Sequence, residues 1–122
     1  MFDDRSPIYR QIADQIKDDV LRGVLGADDQ VMSTNQYAAY YRINPATAAK
    51  AFQQLVDEGV IYKRRGVGMF VHAGAREQIR STRRERFFAE VLEPMAAEAR
   101  ALGVPVADIV ARLHQLIPGD SR

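Results

Sequence analysis

Apolar residues recur at steps of three and four through the first part of the chain, the spacing that places side chains on one face of a helix. The first stripe consists of Ile8, Ile12, Ile16 and Val20. It predicts a helix that opens at Ser6-Pro7, with serine as the cap and proline at the first helical position, and ends near Gly23. A second, shorter helix is predicted after Ser33, because Gln36 stands at the spacing of a capping box.

The third predicted helix has the clearest boundaries. Asn44 is a good N-cap, Pro45 suits the first helical position, and Gly59 can take the left-handed conformation that ends a helix. Its predicted buried face consists of Ala48, Ala51, Phe52 and Leu55. The opposite face is short and rich in hydrogen-bonding groups, and consists of Ala46, Thr47, Ala49, Lys50, Gln53 and Gln54. Such a face suits entry into a DNA groove, although taken alone the stretch favours an ordinary surface helix.

The neighbouring elements change that interpretation. The second and third helices are separated by only a few residues, which indicates a helix-turn-helix. Residues 60–65 and 69–72 then read as two strands, and Gly66 and Gly68 stand where a hairpin turn favours positive φ. Three helices followed by a hairpin with a basic tip predict a winged helix.

Several ordered motifs resemble the GntR family of bacterial transcription regulators. They are Pro7–Ile12, Gly23–Leu25, the Ser33 helix, Asn44–Thr47, Leu55–Ile61 and Gly66–Val71. The Asn-Pro-x-Thr start of the third helix and the short tail are most similar to the YtrA-like subfamily. The chain departs from the family pattern at Val31-Met32, where Leu-Pro is usual, at Asn35, where arginine or glutamate is common, and at Ala48, where a bulky aliphatic residue is usual.

A winged helix assigns roles to the candidate DNA-binding residues. Thr47 and Lys50 are predicted to read bases, and Pro45 and Ala46 offer small apolar surfaces to a thymine methyl group. Phosphate contacts are predicted from Ser33, Asn35, Arg42 and the wing. The full predicted set is Ser33, Asn35, Arg42, Asn44, Pro45, Ala46, Thr47, Lys50, Arg64, Arg65 and Gly66. Tyr9 and Gln11 are interpreted as packing groups rather than as readers of DNA.

The wing allows two interpretations. Arg64 and Arg65 can place a guanidinium in the minor groove or against phosphates, because the planar group donates several hydrogen bonds and stays charged. Gly66 allows close backbone approach. The alternative is that the basic run from Lys63 is a solvated guard of an edge strand against aggregation. The adjacent helix-turn-helix favours DNA contact.

Beyond residue 73 the pattern predicts a helical tail. One seam runs through Phe88, Leu92, Met95, Ala99 and Leu102, and a last helix carries Ile109 and Leu113 on its apolar face. Pro94 lies inside the run and predicts a kink or break about one turn earlier, and Gly103 is predicted to end the helix. We therefore expect a DNA-binding domain over residues 1–73 and a helical dimerisation region over residues 74–122.

The tail is too short to form a stable core alone, and a second copy of the chain is the simplest partner for its apolar faces. The predicted dimerisation residues are Phe88, Leu92, Met95, Leu102, Ile109 and Leu113. The resemblance implies the same, because GntR regulators bind DNA as homodimers. Larger relatives carry an effector domain that senses small molecules. This tail cannot enclose a comparable pocket within one chain, which leaves open an effector site at a dimer interface.

Composition excludes several classes of protein. The chain has 122 residues, of which 47% are hydrophobic and 27% charged, as in ordinary globular proteins. It has no cysteine, and neither a signal peptide nor an apolar run of membrane-spanning length is visible, so a cytoplasmic location is expected. No catalytic or metal constellation appears, since His72 and His114 lack a second ligand at suitable spacing. We expect no cofactor and no enzymatic activity.

Charge is distributed unevenly, although the formal net charge is only +1. In residues 30–72 the bases are Arg42, Lys50, Lys63, Arg64 and Arg65, against Asp57 and Glu58. Residues 1–29 carry more acidic than basic side chains. The bases therefore lie where the helix-turn-helix would meet DNA. The sequence predicts a sequence-specific regulator, a repressor, that binds an inverted-repeat operator as a homodimer. The alternative is a winged-helix protein-interaction module without sequence-specific DNA binding.

Overall fold

The computed structural model describes residues 2–119 and is mainly helical with one β-hairpin, as predicted. The elements in chain order are α1 (Ile8–Leu21), α2 (Thr34–Tyr41), α3 (Pro45–Asp57), β1 (Ile61–Arg64), β2 (Gly68–Val71), α4 (Ala75–Phe87), α5 (Glu93–Leu102) and α6 (Val106–Leu116). A π-helical turn over Phe88–Leu92 lies between α4 and α5. The chain divides into two compact units, the first ending at Ser81 and the second beginning at Thr82.

The α1 helix is amphipathic as predicted, but its predicted start is wrong by one residue. Pro7, rather than Ser6, precedes the first helical residue, and no side chain caps the helix. The amide of Gln11 instead donates to the carbonyls of Asp3 at 2.7 Å and Ser6 at 2.8 Å, and its oxygen accepts from the Asp3 N–H at 3.0 Å. Gln11 is therefore more than a packing group, because it sets the path by which the chain enters α1.

The α2 and α3 helices confirm the local prediction closely. Ser33 and Gln36 form the reciprocal capping box of α2. Arg42 ends α2 with a φ of 55°, in the left-handed region, and this reverses the chain within a few residues. The Asn44 side chain then caps α3 by accepting from the Ala46 N–H at 2.8 Å. The predicted apolar stripe is fully buried and consists of Ala48, Ala51, Phe52 and Leu55.

The hairpin is antiparallel, with Ile61 opposite Val71 and Arg64 opposite Gly68. The Val67 N–H donates to the Arg64 carbonyl at 2.9 Å and closes the turn. Gly68 has a φ of +145°, and a Cβ there would lie 2.5 Å from Nε2 of Gln30. Only glycine therefore fits at this position while Gln30 crosses the wing.

The segment before α2 pairs with the hairpin through backbone hydrogen bonds. The Asp28 N–H donates to the Val71 carbonyl at 2.8 Å, and the Val31 N–H donates to the Met69 carbonyl at 2.9 Å. Gln30 pairs with Phe70 as an isolated antiparallel bridge. The segment thus covers the free edge of β2, which satisfies backbone groups that an edge strand would otherwise expose.

The core of the first unit extends into α4. Ala75 and Ile79 are buried, with 0% and 5% of their surfaces exposed. Arg76 donates to the Leu21 carbonyl at 3.2 Å, and Gln78 donates to the Glu58 carbonyl at 2.9 Å. The first turns of α4 therefore belong to the same packed unit as α1 and α3, beyond the boundary predicted after residue 73.

The second unit buries none of its described residues. Its most shielded apolar side chains, Met95, Ala99 and Ile109, are only half-buried. The π-helical turn lies one turn before Pro94, at the position where the proline ring removes a helical hydrogen bond. Gly103 ends α5 with a φ of 70°, as predicted. Within residues 2–119, no helix has both the length and the apolar character needed to cross a bilayer.

The core contains one costly polar group, the hydroxyl of Tyr37. Its side chain is 6% exposed, and the hydroxyl has no hydrogen-bond partner within the described part of the chain. Burial raises the pKa of Tyr37 to about 12. Because the folded pKa lies above the usual value of 10.0, the folded state loses stability relative to the unfolded chain as the pH rises from 10 to 12. The loss is about 1.4 kcal/mol per pH unit in that window.

Tyr37→Phe should remove this loss, because phenylalanine has no proton to lose. The free energy of unfolding should be measured with urea at pH 9 and at pH 11. The difference in this free energy between the variant and the wild type should shift in favour of the variant by about 1 kcal/mol from pH 9 to pH 11. Tyr40→Phe is the matched control, since Tyr40 is 69% exposed. An equal change with pH in all three proteins would contradict the assignment.

Candidate nucleic-acid interface

The N-terminal half of α3 presents small groups to solvent. Asn44, Pro45 and Ala46 are exposed, and Thr47 is half-buried. The Asn44 oxygen is occupied by the cap, which leaves its amide hydrogens to face outward. The positive end of the helix dipole also lies here, although the N–H groups of Ala46, Thr47 and Ala48 already donate to Asn44. This end of α3 can approach an anionic backbone and base edges without a bulky side chain in the way.

Lys50 lies one turn further along α3 and does not extend freely into solvent. Its ammonium nitrogen lies 4.2 Å from the centroid of the Tyr9 ring on α1. The Arg10 guanidinium carbon lies 5.8 Å from the same centroid, and Arg10 Nε donates to the Tyr9 hydroxyl at 3.3 Å. The Tyr9 ring therefore contacts two cations beside the reading face. The interpretation of Tyr9 as a packing group did not predict this contact.

The C-terminal half of α3 has a different character. The Gln53 amide donates to Asp57 at 2.8 Å, and the Gln54 amide donates to Glu58 at 2.9 Å. Glu58 also forms an ion pair with Lys17 of α1. Both glutamines on the predicted reading face are therefore engaged by acids one turn later, and carboxylates at this end oppose a phosphate backbone. DNA contact is favoured at the N-terminal half, as far as Lys50.

Strand alternation separates the basic residues of the wing. Arg64 lies over the Phe70 ring at 5.5 Å from its centroid, and Phe70 stacks on Tyr62 with the ring centroids 5.8 Å apart. The Tyr62 hydroxyl donates to Asp28 at 2.7 Å, and this hydrogen bond raises the pKa of Tyr62. Arg65 is exposed at the turn. The predicted pair therefore divides into Arg64, held on an aromatic face, and Arg65, free to reach outward.

The structure adds Lys63 to the candidate residues. It lies on the opposite strand face from Arg64 and lines a groove of about 330 Å³ with Ser33. The other lining residues are Gln30, Val31, Gln36, Val67, Gly68 and Met69. The period-two alternation of the strand could have indicated Lys63, because it places this side chain on the opposite face from Arg64.

The remaining predicted phosphate contacts lie on α2 and at its ends. The Ser33 Oγ accepts from the Gln36 N–H at 3.1 Å, and its hydroxyl hydrogen stays available as a donor. Asn35 and Arg42 are exposed. All three side chains belong to the first compact unit, together with α3 and the wing.

The predicted dimerisation residues lie in the second unit and are largely uncovered. Phe88 is 60% exposed, Leu102 68% and Leu113 45%. Leu92 is 36% exposed, whereas Met95 and Ile109 are half-buried. Seven further large apolar side chains among the described residues of this unit are exposed: Phe87, Val91, Val104, Val106, Val110, Leu116 and Ile117.

No group of three or more histidine, cysteine, aspartate or glutamate side chains in residues 2–119 is placed to hold a metal ion. The His72 Nδ1 accepts from the Gly74 N–H at 3.1 Å, which assigns this histidine a local structural role.

The profile described as "Bacterial regulatory proteins, gntR family" matches residues 8–71, more than half of the chain. The chain belongs to the GntR family. The match spans α1 to β2, the elements that carry the predicted DNA-binding residues. The family and the winged-helix fold predicted from the sequence are therefore confirmed.

Individual relatives extend the similarity into the tail. The HTH-type transcriptional repressor YtrA of Bacillus subtilis is 31% identical over 112 residues, which cover 92% of this chain and 82% of that protein. A transcriptional regulator from Oenococcus oeni is similar in structure, with a TM-score of 0.76 and 30% identity over 96% of each chain. AraR(DBD), solved in complex with operator ORX1, has a TM-score of 0.54 and 25% identity over 58% of this chain and 92% of its own.

Proposed function

We propose that the protein is a transcriptional repressor that binds an inverted-repeat operator as a homodimer and reads it with the N-terminal half of α3. The observation that carries the proposal is the anion-free surface formed by the exposed residues Asn44, Pro45, Ala46 and Lys50 with the half-buried Thr47. It lies in one compact unit with a basic wing. The similarity to YtrA, named as a repressor, and to AraR(DBD), solved with its operator, supports the same function.

The contacts divide into two kinds. Thr47 and Lys50 carry hydrogen-bond donors at the position of a reading helix, whereas Pro45 and Ala46 offer apolar surface to a thymine methyl group. Ser33, Asn35, Arg42, Lys63 and Arg65 surround this helix and supply phosphate contacts that fix register. Gln53 and Gln54 are left out of the reading set, because Asp57 and Glu58 engage their amides.

The homodimer is supported by the exposed apolar surface of the second unit. Its described residues expose many large apolar side chains and bury none. Extensive exposed apolar surface is typical of a site of interaction with another molecule. A second copy of the same helices supplies matching apolar faces, and two-fold symmetry would let both copies use the same residues. No enzymatic role is proposed for either unit.

The rival function is a winged-helix module that binds protein without reading DNA. The two functions differ in their response to salt, because phosphate contacts release counterions and protein contacts between apolar faces do not. Fluorescence anisotropy with duplexes from the region upstream of the gene should show one tightly bound fragment. Its affinity should fall steeply as salt rises, and footprinting should show protection with two-fold symmetry. Equal binding to every duplex would contradict sequence-specific regulation.

The wing gives a separate prediction. Arg65→Ala should lower operator affinity and reduce the slope of log affinity against log salt by about one unit per half-site, because one phosphate contact is lost. The melting temperature should hardly change, since Arg65 is exposed and a surface substitution of this kind contributes little to folding. Arg65→Lys is the matched control and should keep the salt slope. A lower melting temperature with unchanged DNA binding would instead indicate an edge-strand guard.

A further inference from the structure

The contact between Tyr9 and Lys50 joins the first helix to the reading face. The ammonium of Lys50 lies 4.2 Å from the ring centroid, well inside the distance of about 6 Å at which the negative face of an aromatic ring attracts a cation. Tyr9 itself is half-buried on α1, so its ring is less free to turn than an exposed one. The ring therefore offers a fixed surface to a flexible side chain.

No carboxylate forms an ion pair with Lys50 among the described residues. The two acids nearest along α3, Asp57 and Glu58, bind Gln53 and Gln54 instead. A carboxylate beside Lys50 would neutralise its charge and occupy its donors. An aromatic face attracts the ammonium but leaves its N–H groups able to donate to a base or phosphate.

We propose that Tyr9 is a positioning residue for DNA recognition, whose ring holds Lys50 in place for its contact with a base edge. This inference rests on the proposed function. A lysine side chain has a flexible four-carbon stem, and ordering it on binding costs conformational entropy. Holding the ammonium in place before DNA arrives reduces that cost and restricts the bases that it can reach.

Two substitutions separate the ring from the rest of the side chain. Tyr9→Phe keeps the aromatic face and removes only the hydroxyl, which accepts from Arg10. Tyr9→Leu keeps apolar bulk and removes the aromatic face. In Tyr9→Leu, operator affinity should fall about 2- to 5-fold for each half-site, so the loss on an operator with two half-sites is the square of that factor. In Tyr9→Phe, operator affinity should stay near that of the wild type.

A double-mutant cycle then tests whether the effect acts through Lys50. In a Lys50→Ala background, Tyr9→Leu should have no further effect on operator affinity. Tyr9→Leu should also relax the preference at the same base pair that Lys50→Ala relaxes, as measured on a set of operators with single changes. A purely structural role for Tyr9 would weaken binding equally in both backgrounds and would not be rescued by phenylalanine.

A measurement without DNA distinguishes failure of the positioning role of Tyr9 from failure of the proposed function. The ring current of Tyr9 should shift the side-chain methylene protons of Lys50 upfield in NMR spectra of the full-length protein and of Tyr9→Phe, and not in Tyr9→Leu. Absence of that shift, or specific DNA binding that Tyr9→Leu leaves unchanged, overturns the inference alone. A chain that shows the shift but binds every duplex equally overturns the proposed function, and the positioning role with it.

Discussion

Leu92→Asp is expected to convert the protein from a dimer to a monomer and to weaken operator binding by two orders of magnitude or more. Leu92 lies in the π-helical turn, is 36% exposed, and belongs to the seam proposed to join two chains. A carboxylate buried against an apolar partner face would lack a counterion, and its desolvation strongly disfavours association. Once the chains separate, the second half-site contact is no longer intramolecular, and its effective concentration is lost.

Analytical ultracentrifugation at micromolar concentration and anisotropy titration of the operator test the two consequences. Ala97→Asp is the matched control, because Ala97 is exposed on α5 outside the seam. The substitution adds the same charge as Leu92→Asp. It should remain dimeric and bind normally. A wild-type monomer that binds its operator tightly would overturn the dimer, as would a dimeric Leu92→Asp.

Removal of the second unit should have the same effect on DNA binding. The cut belongs after Ser81, where the first compact unit ends, because a cut after His72 would delete Ala75 and Ile79 from the core. The shortened chain should stay folded and bind a single half-site weakly. In the proposed dimer, two-fold symmetry requires half-site centres about one helical turn of DNA apart, or a multiple of it.

Sequence patterns predicted α2, α3 and the hairpin well because their signals are local. The capping box of Ser33, the Asn44 cap and Gly66 each act within a few residues, so spacing along the chain identifies them. The buried face of α3 was equally predictable, because a period of 3.6 defines which side chains meet the core.

The pattern does not identify side-chain partners that are chosen by competition or by packing. Gln53 lies on the exposed face of α3 as predicted, but its amide donates to Asp57 one turn away. Lys50 and Tyr9 are far apart in sequence, and only the packing of α1 on α3 brings them together. The pairing of Gln30 with Phe70 likewise depends on the open edge of β2. Helical periodicity brings Gln53 and Asp57 to neighbouring positions, but it does not show that they bind each other. The other two contacts depend on tertiary packing, which neither helical nor strand periodicity encodes.

Lys50→Ala is expected to lower operator affinity by about 1–3 kcal/mol per half-site and to relax the preference at one base pair in each. The reason is that Lys50 is the cation of α3, and it lies on the exposed face before the half of the helix whose glutamines donate to acids. Loss of its donors leaves the corresponding base edge without a protein partner. The measurement is competition anisotropy with operators that carry single symmetric changes.

Gln53→Ala is the matched control, because Gln53 lies on the same exposed face less than one turn away, while its amide already binds Asp57. This variant should keep nearly the full affinity and the full base preference, whereas Lys50→Ala should lose preference at one symmetric position. If Lys50→Ala weakens every operator by the same factor, Lys50 contacts a phosphate and the base must be read by Thr47 and its neighbours. If Gln53→Ala is the more damaging change, DNA displaces the bond to Asp57, and the reading face extends into the C-terminal half of α3.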